Sequence, residues 1–266
     1  MLGAIVGDIV GSVYEFESEK TKDFPLFSPN CRATDDSILT ICVGLACAET
    51  GCKNEHEFKR AIINNMKEIA RRYPDAGYGE RFYKWLIGGC GKPYGATTNG
   101  AAMRVSPCAW AAETLEDAER SARWSAEITH NSSEGTRGAM SVSAAIFLAR
   151  EGKSKEDIRK YIDEKYYDLD FTTDGIRQNY SYDMTCEGSV PQALVCFLDS
   201  TDFEDAIRNA VSLGGDGDTI SAIAGSVAEA YYGVPVAIEE EAFGYLDEEL
   251  AEYYYEYARY LYKWQQ

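Results

Sequence analysis

Residues 214–233 read GGDGDTISAIAGSVAEAYYG, so a short acidic segment leads straight into a run of small residues. Glycine lets the backbone turn sharply, and Asp or Thr side chains commonly cap the helix that follows. In that helix Ser221 and Gly225 are four residues apart, which favours close packing in a buried position. The carboxylate and hydroxyl oxygens also suit a hard cation such as Mg²⁺. By itself the segment is compatible with an ordinary helix cap and with part of a metal site.

A second acidic segment lies near the start of the chain. Thr34, Asp35 and Asp36 stand just before the apolar run of residues 38–46, and a hydroxyl followed by acids before a buried helix is a capping pattern. The segment also puts two carboxylates side by side, where like charges repel each other unless a cation lies between them. Because both acidic segments stand at the head of a predicted helix, together they predict a metal site that uses residues from both.

The first predicted helix spans residues 3–16. It carries three glycines at intervals of four residues, Gly3, Gly7 and Gly11. Because glycine inside a helix costs about 1 kcal/mol relative to alanine, three in register indicate close approach of another backbone or of a ligand. Asp8 lies within this helix and Glu15 at its end. The local sequence leaves Glu15 open between a solvated surface acid and a functional group.

Two loops are further candidates for a functional role. Residues 88–100 form a long segment rich in glycine and small polar residues, and loops of this length in compact domains are often functional. His130 is one of only two histidines and lies in a second polar loop. A lone loop histidine is more often an ordinary surface residue, but its small neighbours leave room for a ligand.

Helical periodicity covers most of the chain, whereas alternation of period 2 is scarce. The pattern predicts an all-α fold. We found no linker or low-complexity segment that would divide the chain, so we expect one compact domain over residues 1–266.

The composition restricts the partners. A net charge of -18 makes general nucleic-acid binding improbable, and it repels anionic substrates unless a cation or a helix N-terminus reverses the field locally. The eight cysteines contain no C-x-x-C pair, which favours buried free thiols in a reducing compartment. The N-terminus lacks the basic region of a signal peptide, and the longest apolar runs are too short to span a membrane. We expect a cytoplasmic monomer without a membrane partner.

Five segments together resemble the ADP-ribosylglycohydrolase family, which includes dinitrogenase reductase-activating glycohydrolase. The matching segments are residues 7–15 (GDIVGSVYE), 34–37 (TDDS), 98–104 (TNGAAMR), 129–130 (TH) and 214–219 (GGDGDT). They occur in the family order and, with the small-residue helix behind the last of them, extend over residues 3–233. A Gly-Gly-Asp-x-Asp-Thr segment with an upstream Thr-Asp-Asp is specific, whereas any one segment alone would be weak.

The resemblance implies a helical bundle with a central cleft that holds a binuclear metal site. The expected cofactor is two Mg²⁺ ions, with Mn²⁺ as a substitute, and the implied substrate is an ADP-ribosylated protein or a small ADP-ribose conjugate. The implied metal ligands are Thr34, Asp35, Asp36, Asp216, Asp218 and Thr219. The implied substrate-binding residues are Glu15, Gly95, Asn99, Gly100 and His130. The candidates for the catalytic carboxylate are Glu15, Asp36 and Asp218.

The resemblance does not identify the acceptor from which ADP-ribose is released, because residues 95–98 lack any acid and branches of the family differ there. Three other functions compete with hydrolysis. An ADP-ribose-binding module or pseudoenzyme would keep the cleft without the reaction. A Mg²⁺-dependent prenyl transferase or terpene synthase would need a third acid where Leu39 stands. A purely structural protein would have no need of two acidic segments.

Overall fold

The computed structural model describes residues 1–16 and 19–264. Within this part of the chain the one β-type pairing is an isolated antiparallel bridge between Thr98 and Thr185. The α-helices of the described residues are α1 (Leu2–Gly11), α2 (Asp35–Thr50), α3 (Glu55–Glu68), α4 (Glu80–Ile87), α5 (Ser106–Ala111), α6 (Leu115–Glu127), α7 (Ser133–Arg150), α8 (Lys155–Lys165), α9 (Thr173–Arg177), α10 (Cys186–Leu198), α11 (Phe203–Val211), α12 (Gly217–Tyr232), α13 (Val236–Phe243) and α14 (Glu248–Trp264). Short 3₁₀ helices cover Ala70–Arg72 and Asn99–Ala101. The prediction of an all-α fold in a single compact domain is confirmed.

Helix α12 lies at the centre of the bundle. It packs against α1, α7, α10 and α11, and every residue from Gly217 to Ala228 is buried. Its small side chains allow these neighbours to come close, as the sequence pattern predicted. The acidic segment at its N-terminus is therefore held by the core of the protein and not by a surface loop.

Helices α1 and α12 run antiparallel with their backbones in contact. A Cβ atom added to Gly7 would lie 2.1 Å from the backbone oxygen of Ser221, and one added to Gly3 would lie 2.1 Å from that of Gly225. At the other end of the contact, a Cβ atom on Gly11 would lie 2.5 Å from the Cα atom of Asp218. The glycines of the first helix therefore serve the approach of another backbone, which was one of the two alternatives left open.

The first helix is shorter than its sequence predicted. It ends at Gly11, and residues 12–16 form turns instead of continuing to 16. The hydroxyl of Ser12 donates a hydrogen bond to the backbone oxygen of Ile9 at the helix end, and the amide of Tyr14 donates to that of Gly11. Gly11 lies opposite the beginning of α12, so a longer helix would run past its packing partner. The turn places Glu15 beside the N-terminus of α12.

The remaining features agree with a well-filled core. All eight cysteines are buried and unpaired, as their distribution predicted. Helix α14 packs on α2, and the buried Tyr257 donates a hydrogen bond to the backbone oxygen of Pro107. No helix among the described residues combines the length and the apolar character needed to cross a membrane.

We predict that Gly7→Ala destabilises the protein by about 2–3 kcal/mol, although alanine is the better helix former, because overpacking of a tight core forces backbone shifts. Urea unfolding would measure the change in the free energy of unfolding. The matched control is Gly91→Ala, since a Cβ atom there meets nothing within 4 Å. An unchanged or raised stability of Gly7→Ala would contradict the close backbone contact.

Candidate functional site

The N-termini of α2 and α12 and the turn after α1 meet at one cleft of about 390 Å³, a volume typical of small-molecule sites. Nine residues proposed from the sequence lie among those that line it, namely Glu15, Asp35, Asp36, Asn99, Gly100, His130, Asp216, Asp218 and Thr219. Residues from all five segments singled out in the sequence thus converge on the same space. Each of the two helices presents its partially positive N-terminal end to the cleft.

Carboxylates from three parts of the chain form two groups at the bottom of this cleft. Oxygen atoms of Asp8, Asp36 and Asp218 all lie within 4.8 Å of one another, and the same holds for Glu15, Asp216 and Asp218. We call these five residues together with Asp35 the acidic cluster. Asp218 belongs to both groups, so the arrangement offers two adjacent positions for a cation.

Asp8 is a member of the cluster to which sequence reasoning assigned no role. It is fully buried in α1 and accepts hydrogen bonds from the backbone N–H groups of Thr34 at 2.9 Å and Ser37 at 3.0 Å. The hydroxyls of the same two residues also donate to it, that of Thr34 at 2.5 Å. Asp8 therefore fixes the start of α2 against α1. An acid inside an otherwise apolar, glycine-rich helix was the available signal.

The side chains at the head of α12 do not act as an ordinary helix cap. Asp216 occupies the N-cap position but makes no capping hydrogen bond. Its carboxylate instead accepts from the amide of Asn99 at 2.6 Å. In contrast, Thr34 does cap α2, since its hydroxyl accepts from the amide of Asp36 at 3.3 Å. The capping interpretation therefore accounts for Thr34 and not for Asp216.

Asp36 provides a direct test of whether the cluster fits a cation. Among the described residues its buried Oδ1 atom has no hydrogen-bond partner, and its Oδ2 atom accepts only a long bond of 3.4 Å from the hydroxyl of Thr219. A buried carboxylate oxygen without a partner is costly. Because Asp218 and Asp8 lie within reach of the same position, a hard cation bound there would satisfy this oxygen.

Burial raises the pKa of every carboxyl group in the acidic cluster. For all members except Asp8 and Asp216, the charges of other members raise the pKa further. For Asp35 the pKa rises to about 8 through burial and the charge of Asp8. For Glu15 it rises to about 7 through burial and the charge of Asp216, with a smaller opposing effect of Arg32. The cluster therefore favours the uptake of positive charge, either as protons or as metal cations.

Three of the residues proposed from the sequence lie at the edge of the site or beneath it. Asp35 is half-buried in the cleft wall, and its backbone N–H donates to the backbone oxygen of Ala76 at 3.0 Å. Thr34 is buried beneath the cluster, and the hydrogen of its hydroxyl is used by Asp8. Gly95 is exposed beside the cleft, where its N–H donates to the side chain of Asn131 at 2.9 Å.

His130 is not the surface residue that a lone loop histidine commonly is. It is only 3% exposed, and its two ring nitrogens contact the hydroxyls of Thr129 and Thr98. Burial, reinforced by the charges of Arg104 and Arg81, holds the pKa of His130 well below its ordinary value. The ring is therefore neutral in the folded protein.

Several cleft residues had no signal in the sequence, because Tyr94 and Tyr182 come from irregular segments and Arg81 from the start of the short helix α4. Tyr182 lines the cleft and stacks on Phe16, with ring centroids 6.2 Å apart. On the opposite side, the guanidinium of Arg81 lies 4.9 Å from the ring centroid of Tyr94 and donates to the backbone oxygen of the same residue. The cleft thus offers aromatic surfaces and the positive charges of Arg81 and Arg104 beside the acidic cluster.

Comparison with known proteins gives a consistent result. A family model described as ADP-ribosylglycohydrolase matches residues 1–265. The chain is 28% identical to the ADP-ribosylhydrolase ARH3 of Bos taurus, over 92% of this chain and 88% of the relative. It is 27% identical to the ADP-ribosylarginine hydrolase Tri1 of Pseudomonas putida (strain GB-1), over 95% of this chain and 76% of the relative. A solved structure, an ADP-ribosylglycohydrolase-related protein complex, is 22% identical with a TM-score of 0.65 and covers 98% of this chain and 95% of its own, which shows a shared fold.

We predict that Mg²⁺ or Mn²⁺ raises the melting temperature of the wild type and not that of Asp218→Asn, which removes a charge shared by both carboxylate groups. At a hundredfold excess over the Kd the gain is about 2.7 kcal/mol, or roughly 5–10 °C. Thermal unfolding with the metal and with EDTA measures it. The exposed Asp170 gives the control Asp170→Asn, which should behave as wild type. An equal metal-induced shift in Asp218→Asn would show that the cation binds elsewhere.

A second prediction concerns pH. In EDTA, Asp35→Asn should become more stable relative to the wild type as the pH rises from 3.8, the ordinary pKa of Asp, towards about 8. The folded wild type keeps the Asp35 proton up to about pH 8, so across this range the folded state binds more protons than the unfolded chain and its stability falls with pH. Asn does not titrate and lacks this slope.

Urea unfolding of both proteins over a pH series measures the difference, and titrating groups that do not interact with Asp35 cancel because they are common to the two. Saturating Mg²⁺ should reverse the order at pH 8, since the cation stabilises the ionised carboxylates. A wild type that gains stability relative to Asp35→Asn with rising pH in EDTA would refute the raised pKa.

Proposed function

The chain belongs to the ADP-ribosylglycohydrolase family, and we propose that it is a Mg²⁺-dependent hydrolase that cleaves the glycosidic bond between ADP-ribose and an acceptor. The observation that carries this proposal is the pair of carboxylate groups sharing Asp218 at the bottom of the cleft. The acceptor class we propose is a modified protein side chain or a small conjugate, because the curated relatives include an ADP-ribosylhydrolase and an ADP-ribosylarginine hydrolase.

The metal ligands we propose come from the two acidic segments. Asp36 and Asp218 would hold one ion, and Asp216 and Asp218 the other, with Thr34, Asp35 and Thr219 completing the sets. Bound Mg²⁺ would supply Lewis-acid positive charge to the ribose hydroxyls and to the attacking water. That positive charge would also offset the repulsion between an anionic substrate and a protein with a net charge of -18.

Glu15 is the residue we assign as the general base. It is only half-buried in the cleft wall, whereas Asp36 and Asp218 are 3% and 5% exposed, so it is more accessible to a water molecule that enters with the substrate. It lies in a turn outside the helices, with its carboxylate still within 4.8 Å of those of Asp216 and Asp218. A base must reach the proton it removes and then release it.

In the proposed reaction the bond between the anomeric carbon and the acceptor breaks as that carbon gains oxocarbenium character. The oxygen of the attacking water forms the new bond to the carbon. One proton of this water passes to Glu15, which releases it to solvent, and the leaving group takes up one proton from solvent, so the products are free ADP-ribose and the unmodified acceptor. Asn99 and Gly100 also line the cleft, where they would position the ribose.

The test is release of ADP-ribose from arginine-linked, serine-linked and O-acetyl-linked substrates, each with Mg²⁺ and with EDTA. We expect Mg²⁺-dependent release from at least one substrate. Glu15→Gln should lower kcat by about 10²–10⁴-fold at saturating Mg²⁺, as expected for loss of a general base. Asp170→Asn is the matched acid-to-amide control on the surface.

Release that is equally fast in EDTA would rule out the metal-dependent mechanism. Tight binding of ADP-ribose without release from any substrate would instead identify a binding module. A Glu15→Gln variant with an unchanged kcat would transfer the role of base to another carboxylate of the acidic cluster.

A further inference from the structure

The ring of His130 lies between two threonine hydroxyls. Its Nδ1 atom is 2.7 Å from the Oγ1 atom of Thr129, and its Nε2 atom is 3.0 Å from that of Thr98. On the far side of Thr129, the Nη2 atom of Arg104 lies 2.9 Å from the same Oγ1 atom. These four side chains therefore form a continuous hydrogen-bonded row from the core to the cleft.

The direction of each hydrogen bond in this row follows from Arg104. A guanidinium has donors and no acceptor, so the hydroxyl of Thr129 must accept from it. The single hydrogen of that hydroxyl is then free to point at His130, and the hydrogen bonds found for the described residues give the Thr129 hydroxyl no other partner. Nδ1 of His130 is therefore the acceptor, and the one hydrogen of the neutral ring sits on Nε2.

The neutral state of the ring follows from its surroundings. Arg104 is fully buried, and its guanidinium lies at the other end of Thr129. The second nearby cation, Arg81, lies over Tyr94, whose ring centroid is 6.1 Å from that of His130. A charged imidazolium in this enclosed position would face two cations and no carboxylate hydrogen bond, so protonation is disfavoured.

The last hydroxyl of the row, that of Thr98, thus receives a hydrogen bond from His130 and keeps its own hydrogen. Thr98 lines the cleft. Its backbone is fixed on both sides, because Asn99 donates to the backbone oxygen of Met184 at 2.9 Å and Cys186 donates to that of Thr97 at 3.0 Å. The hydroxyl is therefore held in place with a hydrogen available to a ligand.

We propose that Arg104, Thr129 and His130 are positioning residues that hold the Thr98 hydroxyl as a hydrogen-bond donor to an acceptor oxygen of ADP-ribose. This inference rests on the proposed function for the identity of the ligand. The ligand presents phosphate and ribose oxygens, which accept a hydrogen bond from a hydroxyl donor. If the row ran in the opposite direction, Thr98 would donate to His130 and present only lone pairs, which repel a phosphate.

The first experiment determines the tautomer of His130 in the ligand-free protein. With only two histidines in the chain, a ¹⁵N-labelled sample gives two sets of ring signals, and His56→Gln, which alters an exposed residue, assigns them. We expect an unprotonated Nδ1 and a protonated Nε2 in the wild type. Thr129→Ser should keep this pattern, whereas Thr129→Val should shift the ring towards the Nδ1-protonated form. A proton on Nδ1 of the wild type would overturn the proposal.

The second experiment connects the tautomer with binding. Loss of one hydrogen bond should weaken the affinity for ADP-ribose about 3–10-fold, both in Thr98→Val and in Thr129→Val, as measured by calorimetry. Because Thr129 acts only through Thr98, the double variant should be no weaker than Thr98→Val alone. Thr129→Ser should restore the wild-type affinity. If the losses of affinity in the two single variants add up in the double variant, Thr129 does not act through Thr98 and the proposal is refuted.

A matched control comes from the same buried region. Ser125 has a side-chain oxygen with no hydrogen-bond partner, and its backbone oxygen accepts from Arg104 at 3.4 Å. Ser125→Ala should therefore leave both the tautomer and the affinity unchanged, and a change in either would mean that any disturbance near Arg104 has this effect. If the wild type shows the expected tautomer but binds no ADP-ribose, the proposed function fails together with the role of Thr98, while the hydrogen-bond directions stand.

Discussion

The backbone contact between α1 and α12 is the constraint on which the rest of the molecule depends. Because Gly7 has no side chain, the backbone of α1 can pack directly against the backbone of α12 at Ser221. This contact brings Asp8 of the first helix and Asp218 of the twelfth within metal-ligand distance of each other. Asp8 then holds the start of α2, and with it Asp36 joins the cluster. Packing of small residues therefore decides where the charges lie.

The acidic cluster illustrates a conflict between folding and function. Buried carboxylates that share no counter-ion oppose folding, and natural proteins depart from consistent packing mainly at functional sites. Here the conflict is reduced in part by the four hydrogen bonds that Asp8 accepts and by the amide of Asn99. The Oδ1 atom of Asp36 has no hydrogen-bond partner among the described residues, so a positive charge beside it would stabilise the cluster. The charge of a substrate-binding cation would thus contribute to folding as well as to the reaction.

The sequence predicted the all-α fold because helical periodicity is a local pattern that survives in the folded state. It predicted the meeting of the two acidic segments because like charges at the heads of two helices favour a shared cation. The sequence prediction extended the first helix to residue 16, whereas it ends at Gly11. The reason is that its end depends on where α12 begins and not on local propensity. Asp8 and Thr98 were missed for a related reason. Their roles arise from partners far away in the chain, Thr34 for one and His130 for the other, and no spacing rule connects such residues. The burial of His130 likewise depends on the helices packed around its loop.

The eight buried cysteines have a consequence for how the motions of this protein could be followed. They are distributed over α2, α5 and α10 as well as loops, and a thiol enclosed in apolar surroundings is chemically inert. Each becomes reactive only when its own element opens to solvent, and such openings differ in free energy across a structure. The chain therefore carries a set of natural position-resolved probes, and the order in which an alkylating reagent modifies them would reveal which parts of the bundle open before the rest.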